Sequence, residues 1–441
     1  MKLDNKFVTQ GIFAVGDQAA STMAGTLEIN ELGGIFLDSI HKMGMEETQA
    51  INLTGETSEL GKVILLDCFE VSSSYAFSRE FKRQKFLCNK LICVSKNHIG
   101  YDVKSKKMTF EIEDLEKWLA KPIVEHDSQK DQSKIIYSLP ENETIDIGDG
   151  LSVTFTYKIK ISTGNFYESS EVKSKALAVF ESKDEIDIDI YIAKAVILSN
   201  LVSFALDSVC TIKDSFYGEN KQNKVYYSTA NHHKKKKEIN LINYIFTLKH
   251  VKTKRKELVK NWFLIADKIR PTISLYNQFK AREYKYYDAA FLSLCQAVEA
   301  LHRRTCDDTP MERCDYTIII NEIIEKAGEE HRSFLERKLS SGNEYSFRLR
   351  LELMLGVCWS KEKIEMEKKK ITRIIDARNF LTHYPKSKER KFYCLFSEKS
   401  EEYVFLLESI LISYILFLIS NDKQWVVNIM NWRNQLKHNK F

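Results

Sequence analysis

The sequence predicts an α+β chain, with an N-terminal antiparallel β-sandwich-like region followed by a C-terminal all-α helical bundle. Two observations carry this. From Phe7 to about Phe180 the apolar residues recur with period two or in short β-branched runs. From Asn261 onward they recur at helical spacing, and the stretch Tyr403 to Ser420 is almost wholly apolar.

In chain order, Gly25–Ile29, Gly61–Leu66, Lys90–Val94, Met108–Ile112 and Leu151–Tyr157 read as strands. Turn chemistry such as Gly148-Asp149-Gly150 separates them, and one short helix is expected near Glu113–Ala120. The spacing suits an antiparallel sandwich or barrel. Residues 1–182 are therefore assigned to a β-rich domain, 183–260 to a connecting region, and 261–441 to the helical domain. The connector opens with a segment that reads as helix and then strand. It also carries two basic tracts, His232–Lys237 and the lysines and arginine between Lys249 and Lys256, with Tyr226, Tyr227, Tyr244 and Phe246 interleaved. Such a tract is either a solvated charged face or a salt-sensitive track for RNA phosphates, and the first reading is preferred.

In the helical part, Pro271 fits a helix start. Phe291, Leu294, Cys295, Val298 and Leu301 then form a core stripe, with His302 projecting into its middle and Glu299 to its edge. Thr317–Ile324, Phe334–Leu339 and the region from Phe347 read as further helices, and a last helix is expected after Asp422.

The totals exclude several classes. The apolar fraction of 44% and charged fraction of 29% describe a globular chain, and a net charge of +5 over 441 residues does not by itself announce a nucleic-acid binder. Nine cysteines show no CxxC pair and read as reduced, cytoplasmic core thiols. Cys88, Cys93 and His98 lack the companion pair that a zinc site needs, so no metal is assigned. The N-terminus has no apolar signal core. Tyr403–Ser420 is at the lower length limit for a membrane span and holds Glu408, so it is read as a core or dimer-interface helix, with no membrane partner. Phosphate-binding glycine loops, nucleophile elbows and HExxH motifs are missing from the sequence.

The pattern that points to chemistry is Ile374-Ile375-Asp376-Ala377-Arg378-Asn379-Phe380-Leu381-Thr382-His383-Tyr384-Pro385. Lys361 to Lys370 is rich in helix formers, and at about 100° per residue Ile371, Ile374 and Ile375 define an apolar face on which Arg378 also falls. Asn379 lies on its flank, and His383 follows about one and a half turns on, just before the boundary set by Pro385. Glu299, or Glu408 on the last long helix, is placed to pair with Arg378, and His302 to join a polar network with it.

The Arg-Asn-x-x-x-His pattern resembles the R-x4-H motif of HEPN domains, small helical bundles that include RNA-cleaving toxins and antiviral effectors. Tyr287–Arg303 is similar to the long helix preceding that motif. With a large strand-rich region in front, and phrases such as Leu53-Thr54-Gly55-Glu56, the layout resembles the ApeA-type antiphage proteins. The resemblance implies a metal-independent endoribonuclease with no cofactor. In it Arg378 would stabilise the scissile phosphate, His383 would act as general acid or base, and Asn379 would orient one of them. Glu299 and His302 are added as supporting residues from helical phase alone. It also implies an RNA substrate, a homodimer or higher even oligomer that brings two motifs to one cleft, and a phage-derived trigger acting through the N-terminal domain. The alternative within the same fold is a non-catalytic nucleotide- or partner-binding module acting as sensor or scaffold.

Overall fold

The computed structural model describes residues 6–15, 22–31, 33–42, 51–76, 81–129, 132–163, 170–219, 223–227, 244–251, 254–281, 286–307, 309–386 and 400–438. They fall into two compact units. The first takes in Met1–Leu206, Cys210–Asn240 and Phe246–Lys256, and the second Asp207–Val209, Leu241–Ile245 and Glu257–Phe441.

The first unit is built on two antiparallel sheets. Strands β1 (Phe7–Val15), β2 (Thr22–Ile29), β3 (Ile35–Lys42), β4 (Ile51–Thr57), β5 (Gly61–Ala76) and β6 (Phe81–Cys93) pair in the order β6-β3-β2-β1-β4-β5. β5 pairs in turn with β6, so the six strands close into a barrel with no free edge among them. Of the two forms the period-two pattern allowed, this sheet takes the barrel. Alternation fills its interior: Phe13, Leu27, Leu37, Leu53, Leu65 and Leu91 are fully buried. Gly55 is required in this packing, because a Cβ there would run into the Phe13 ring.

The second sheet contains β7 (Lys104–Ile112), β10 (Glu143–Gly148), β11 (Leu151–Thr163), β12 (Ser170–Asp187) and β13 (Ile212–Tyr217), in the order β10-β11-β12-β7-β13. Between β7 and β10 come α1 (Leu115–Leu119), at the expected place, and the hairpin of β8 (Val124–Gln129) and β9 (Gln132–Tyr137). Trp118 of α1 packs edge-on against Phe155, and Phe110 against Phe180, which ties the helix and three strands into one core.

Residues 183–256 carry more structure than a connector. β12 continues through Asp187 into α2 (Ile188–Ala205), and β14 (Val225–Tyr227) pairs with β6. α3 (Leu248–Val251) follows in the same unit. The interleaved aromatics are core residues here: Tyr226, Tyr227 and Phe246 are buried and cannot stack on bases. The tract His232–Lys237 lies outside the described residues.

The second unit is helical: α4 (Arg255–Lys280), α5 (Tyr287–Thr305), α6 (Arg313–Lys326), α7 (Glu329–Leu339), α8 (Phe347–Cys358), α9 (Lys361–His383), α10 (Ser400–Ser420) and α11 (Lys423–His438). Pro271 does not start a helix; it lies inside α4, which begins at Arg255. The buried face running from Leu258 through Trp262, Ile269 and Ile273 to Tyr276 holds the helix across the one backbone bond a proline removes. α10 is the core helix of the bundle, buried from Tyr403 to Ile419 on most of its faces. Two helices, Ile188–Ala205 and Ser400–Ser420, are long and apolar enough to cross a membrane, but 78% of the α10 window is buried against the rest of the protein. Glu408 within it pairs with Lys280 and with Arg433, whose Nη2 is 2.9 Å away. Arg433 and Lys280 also reach Asp207, at 2.9 and 2.6 Å.

Candidate functional site

α9 is capped at its start by Ser360, whose hydroxyl accepts a hydrogen bond from the Lys363 N–H at 3.3 Å. Ile371, Ile374, Ile375, Ala377, Phe380 and Leu381 are buried and set the orientation of the helix. Arg378 therefore leaves the helix at the margin of the core. Its side chain is 26% exposed, neither in bulk water nor sealed.

Three contacts fix the guanidinium. Nη2 donates to Glu299 Oε2 on α5 at 3.2 Å, Nη1 donates to Asn379 Oδ1 at 3.2 Å, and the group lies over the Phe347 ring of α8 at 5.5 Å. It also lies close to buried Cys295, whose thiol is pushed well above its ordinary value by burial while the charge of Arg378 pulls the other way. Of the two carboxylates that helical phase offered, Glu299 is the partner. Glu408 is instead engaged by Lys280 and Arg433.

Glu299 is itself held by a second cation. Arg303, one turn on, donates to Glu299 Oε1 at 3.3 Å and to Glu344 Oε2 at 2.9 Å. The set Arg378, Arg303, Glu299 and Glu344 is thus formally neutral, so the arginine is anchored without a surplus of like charge around it.

Asn379 and His383 stand four residues apart, on one face of α9, and both are exposed. His383 is the last residue of the helix; Tyr384 caps it in the left-handed conformation, φ 44°, with its N–H on the Phe380 carbonyl at 2.7 Å. A bulky residue in that region carries strain of about 1–2 kcal/mol, which the ring contact of Tyr384 with Phe380 helps to offset. The charged loop expected after the histidine lies, from Ser387 on, outside the described residues.

His302 takes a different partner from the one its phase suggested. It is 1% exposed, and Nη1 of the fully buried Arg350 lies 3.1 Å from its Nδ1. Arg350 also donates from Nε to the Tyr345 carbonyl at 3.0 Å and lies over the Tyr345 ring. Arg303, Arg350 and Phe347 were not anticipated. Arg350 was open to the same reasoning as Arg378, since it shares a helix face with Phe347, Leu351 and Met354, all buried.

Chemically, the arrangement carries a half-buried, preorganised guanidinium, an amide and a solvent-facing imidazole on the last turns of one rigid helix. A guanidinium stabilises charge developing on phosphate oxygens, and an imidazole moves protons near neutral pH. Among the described residues no group of His, Cys, Asp and Glu is spaced to hold a metal ion.

Two family models match the chain. ApeA N-terminal domain 1 matches residues 9–262, and Apea-like HEPN matches residues 292–419. The second span includes Glu299, Arg378, Asn379 and His383. No curated protein matches, and no solved structure does.

Proposed function

The chain belongs to the ApeA family of HEPN-containing antiphage defence proteins, and from that premise we propose that it is a metal-independent endoribonuclease. The observation that carries this reading is the placement of Arg378. It is anchored by Glu299 at 3.2 Å yet 26% exposed, on the same helix as the exposed Asn379 and His383. A purely structural arginine at that margin needs no amide on its outer side and no imidazole further along.

In the proposed reaction the 2′-hydroxyl of RNA loses its proton and attacks the adjacent phosphate. The 5′-oxygen leaves protonated, giving a 2′,3′-cyclic phosphate. Arg378 counters the charge that develops on the phosphate, His383 takes or gives a proton, and Asn379 orients the guanidinium. One chain offers a single acid-base group, so a two-fold pair supplies the second His383. The substrate is host or phage RNA, tRNA included. A phage-derived trigger acts through the N-terminal unit, and cleavage in the cytoplasm ends in abortive infection.

The second reading is a nucleotide- or partner-binding module without catalysis. It draws on the occupancy of the guanidinium, which already holds both Glu299 and Asn379. Incubating the full chain with total RNA in chelator, with and without extract of infected cells, separates the two. Cyclic phosphate ends, lost in both Arg378→Ala and His383→Ala while the fold persists, support the nuclease. Equal cleavage by parent and variants removes the site assignment, and no cleavage under either condition favours the binding module.

A further inference from the structure

Tyr384 stands where its residue type is least expected. It ends α9 in the left-handed conformation, φ 44°, a position that helices ordinarily give to glycine or asparagine. Pro385 follows, and a proline pushes the residue before it toward extended backbone. The other non-glycine residues with positive φ among the described residues are aspartates, one asparagine and one alanine, so Tyr384 is the single bulky case. Strain of this kind, kept on an aromatic residue, calls for a use of the ring.

The ring is also open. Tyr384 is 59% exposed, and it rests against Phe380 with ring centroids 5.5 Å apart and planes at 60°. An edge contact of this sort steadies a ring without covering it. Phe380 is itself buried, so the tyrosine is held from the core side and presented to solvent.

Its neighbours give that surface a meaning. Residues four apart line up along a helix, and three such rows lie side by side at the end of α9. Arg378 and Thr382 form the first, tied by the Thr382 hydroxyl donating to the Arg378 carbonyl at 2.7 Å. Asn379 and His383 form the second, and Phe380 with Tyr384 the third. Guanidinium, then amide and imidazole, then an exposed aromatic ring follow one another around the helix. The third row lies where a nucleotide held by the first two needs a surface for its base. Stacking on an aromatic ring suits an unpaired base and tolerates any of the four, since each has a π-face.

We propose that Tyr384 is a base-stacking subsite of the candidate active site, docking an unpaired nucleotide next to the scissile phosphate and so selecting single-stranded RNA over duplex. The inference rests on the nuclease reading and names the substrate class of that site. The left-handed backbone is then the means of turning the ring outward beside His383.

Fluorescence anisotropy of the full chain with a short labelled single-stranded RNA of mixed sequence, and with the duplex of the same sequence, tests it. His383→Ala is the background, so that binding is read without cleavage. Adding Tyr384→Leu weakens single-strand binding about 10-fold or more and leaves duplex binding unchanged. Adding Tyr384→Phe, which keeps the stacking face, leaves both as they were. Tyr384→Gly separates the subsite from folding. It removes the ring but suits the left-handed backbone, so single-strand binding falls as in Tyr384→Leu with a Tm no lower than that of the background. Undiminished binding by Tyr384→Leu, or an equal loss on single strand and duplex, overturns the subsite, as does a background chain that binds no single strand. Cleavage by the chain with His383 intact is read separately. Cutting that is indifferent to Tyr384→Leu, with binding equally indifferent, refutes the subsite and leaves the nuclease standing. Tyr384-dependent binding without any cutting keeps the subsite and sinks the nuclease.

Discussion

Arg350 Nη1 lies 3.1 Å from His302 Nδ1, both side chains buried, and this contact fixes the state of the histidine. A guanidinium only donates, so Nδ1 accepts and the imidazole proton sits on Nε2. Protonating Nδ1 would turn an N–H toward a cation. His302 therefore serves as a neutral acceptor that helps to keep α8 in register with α5, the two helices from which Glu299 and Phe347 reach Arg378.

Replacing Arg350 by methionine keeps much of the volume but leaves the Tyr345 carbonyl and His302 Nδ1 without this donor. The expected loss is about 2–4 kcal/mol of stability. It should be read as faster hydrogen exchange in α5 and α8 than in the parent. Unchanged exchange there would show that the pair does not hold the helices together.

The Arg378–Glu299 pair leads to a kinetic expectation. Glu299→Gln retains a hydrogen-bond acceptor and removes the charge, so the guanidinium stays near its place but is held less firmly. On the nuclease reading the turnover rate falls about 10- to 100-fold with little change in apparent RNA affinity, because positioning matters most in the transition state. A fall in affinity alone, with turnover intact, would make Glu299 part of ground-state binding instead.

The periodicities show why some of this was legible in the sequence and some was not. Arg378 broke the apolar phase of α9, and that break is visible in one dimension. The choice between Glu299 and Glu408 depends on how α5, α9 and α10 pack, which no local spacing contains. Helix packing also gave His302 to Arg350. Pro271 shows the reverse failure: a local rule marked a helix start, and the tertiary burial of Trp262, Ile269 and Ile273 overrode it. The strands were readable by alternation, but closure of the barrel rests on β5 pairing with β6, and their hairpin could equally have sat in an open sheet.

Asp207 is the buried acidic anchor of the helical unit. Burial works to raise its carboxyl, yet the charges of Lys280 and Arg433 outweigh this and hold it below its ordinary value of 3.8. A depressed carboxylate stabilises the fold fully above the unfolded value, and that contribution disappears as pH falls through the folded one. Asp207→Asn should therefore destabilise the helical unit by about 3–5 kcal/mol at neutral pH, since it leaves buried cations underpaired. The gap between parent and variant should close only in acid below about pH 4. Hydrogen exchange in α10 measures it. A gap that already closes near pH 6 would mean that a histidine, not this carboxylate, governs the region.

His41 gives the opposite chemistry and a higher pH window. It is 6% exposed, on the inward face of β3 with Ser39 and Leu37, and lies opposite Lys82 of β6. Burial first, and then the charge of Lys82, lowers its pKa below the ordinary 6.5, with Glu70 acting weakly in the other direction. The unfolded chain therefore takes up this proton before the folded one does. Stability from the neutral imidazole is complete above pH 6.5 and declines as pH falls below it, until the folded value is passed. Hydrogen exchange of β3 and β6 should accordingly speed up between pH 6.5 and pH 5, after correction for the intrinsic rate. In His41→Gln, which cannot titrate, that added acceleration should vanish. Matching pH profiles in parent and variant would exclude His41 as its source and leave the carboxylates around the barrel to explain any slope that remains.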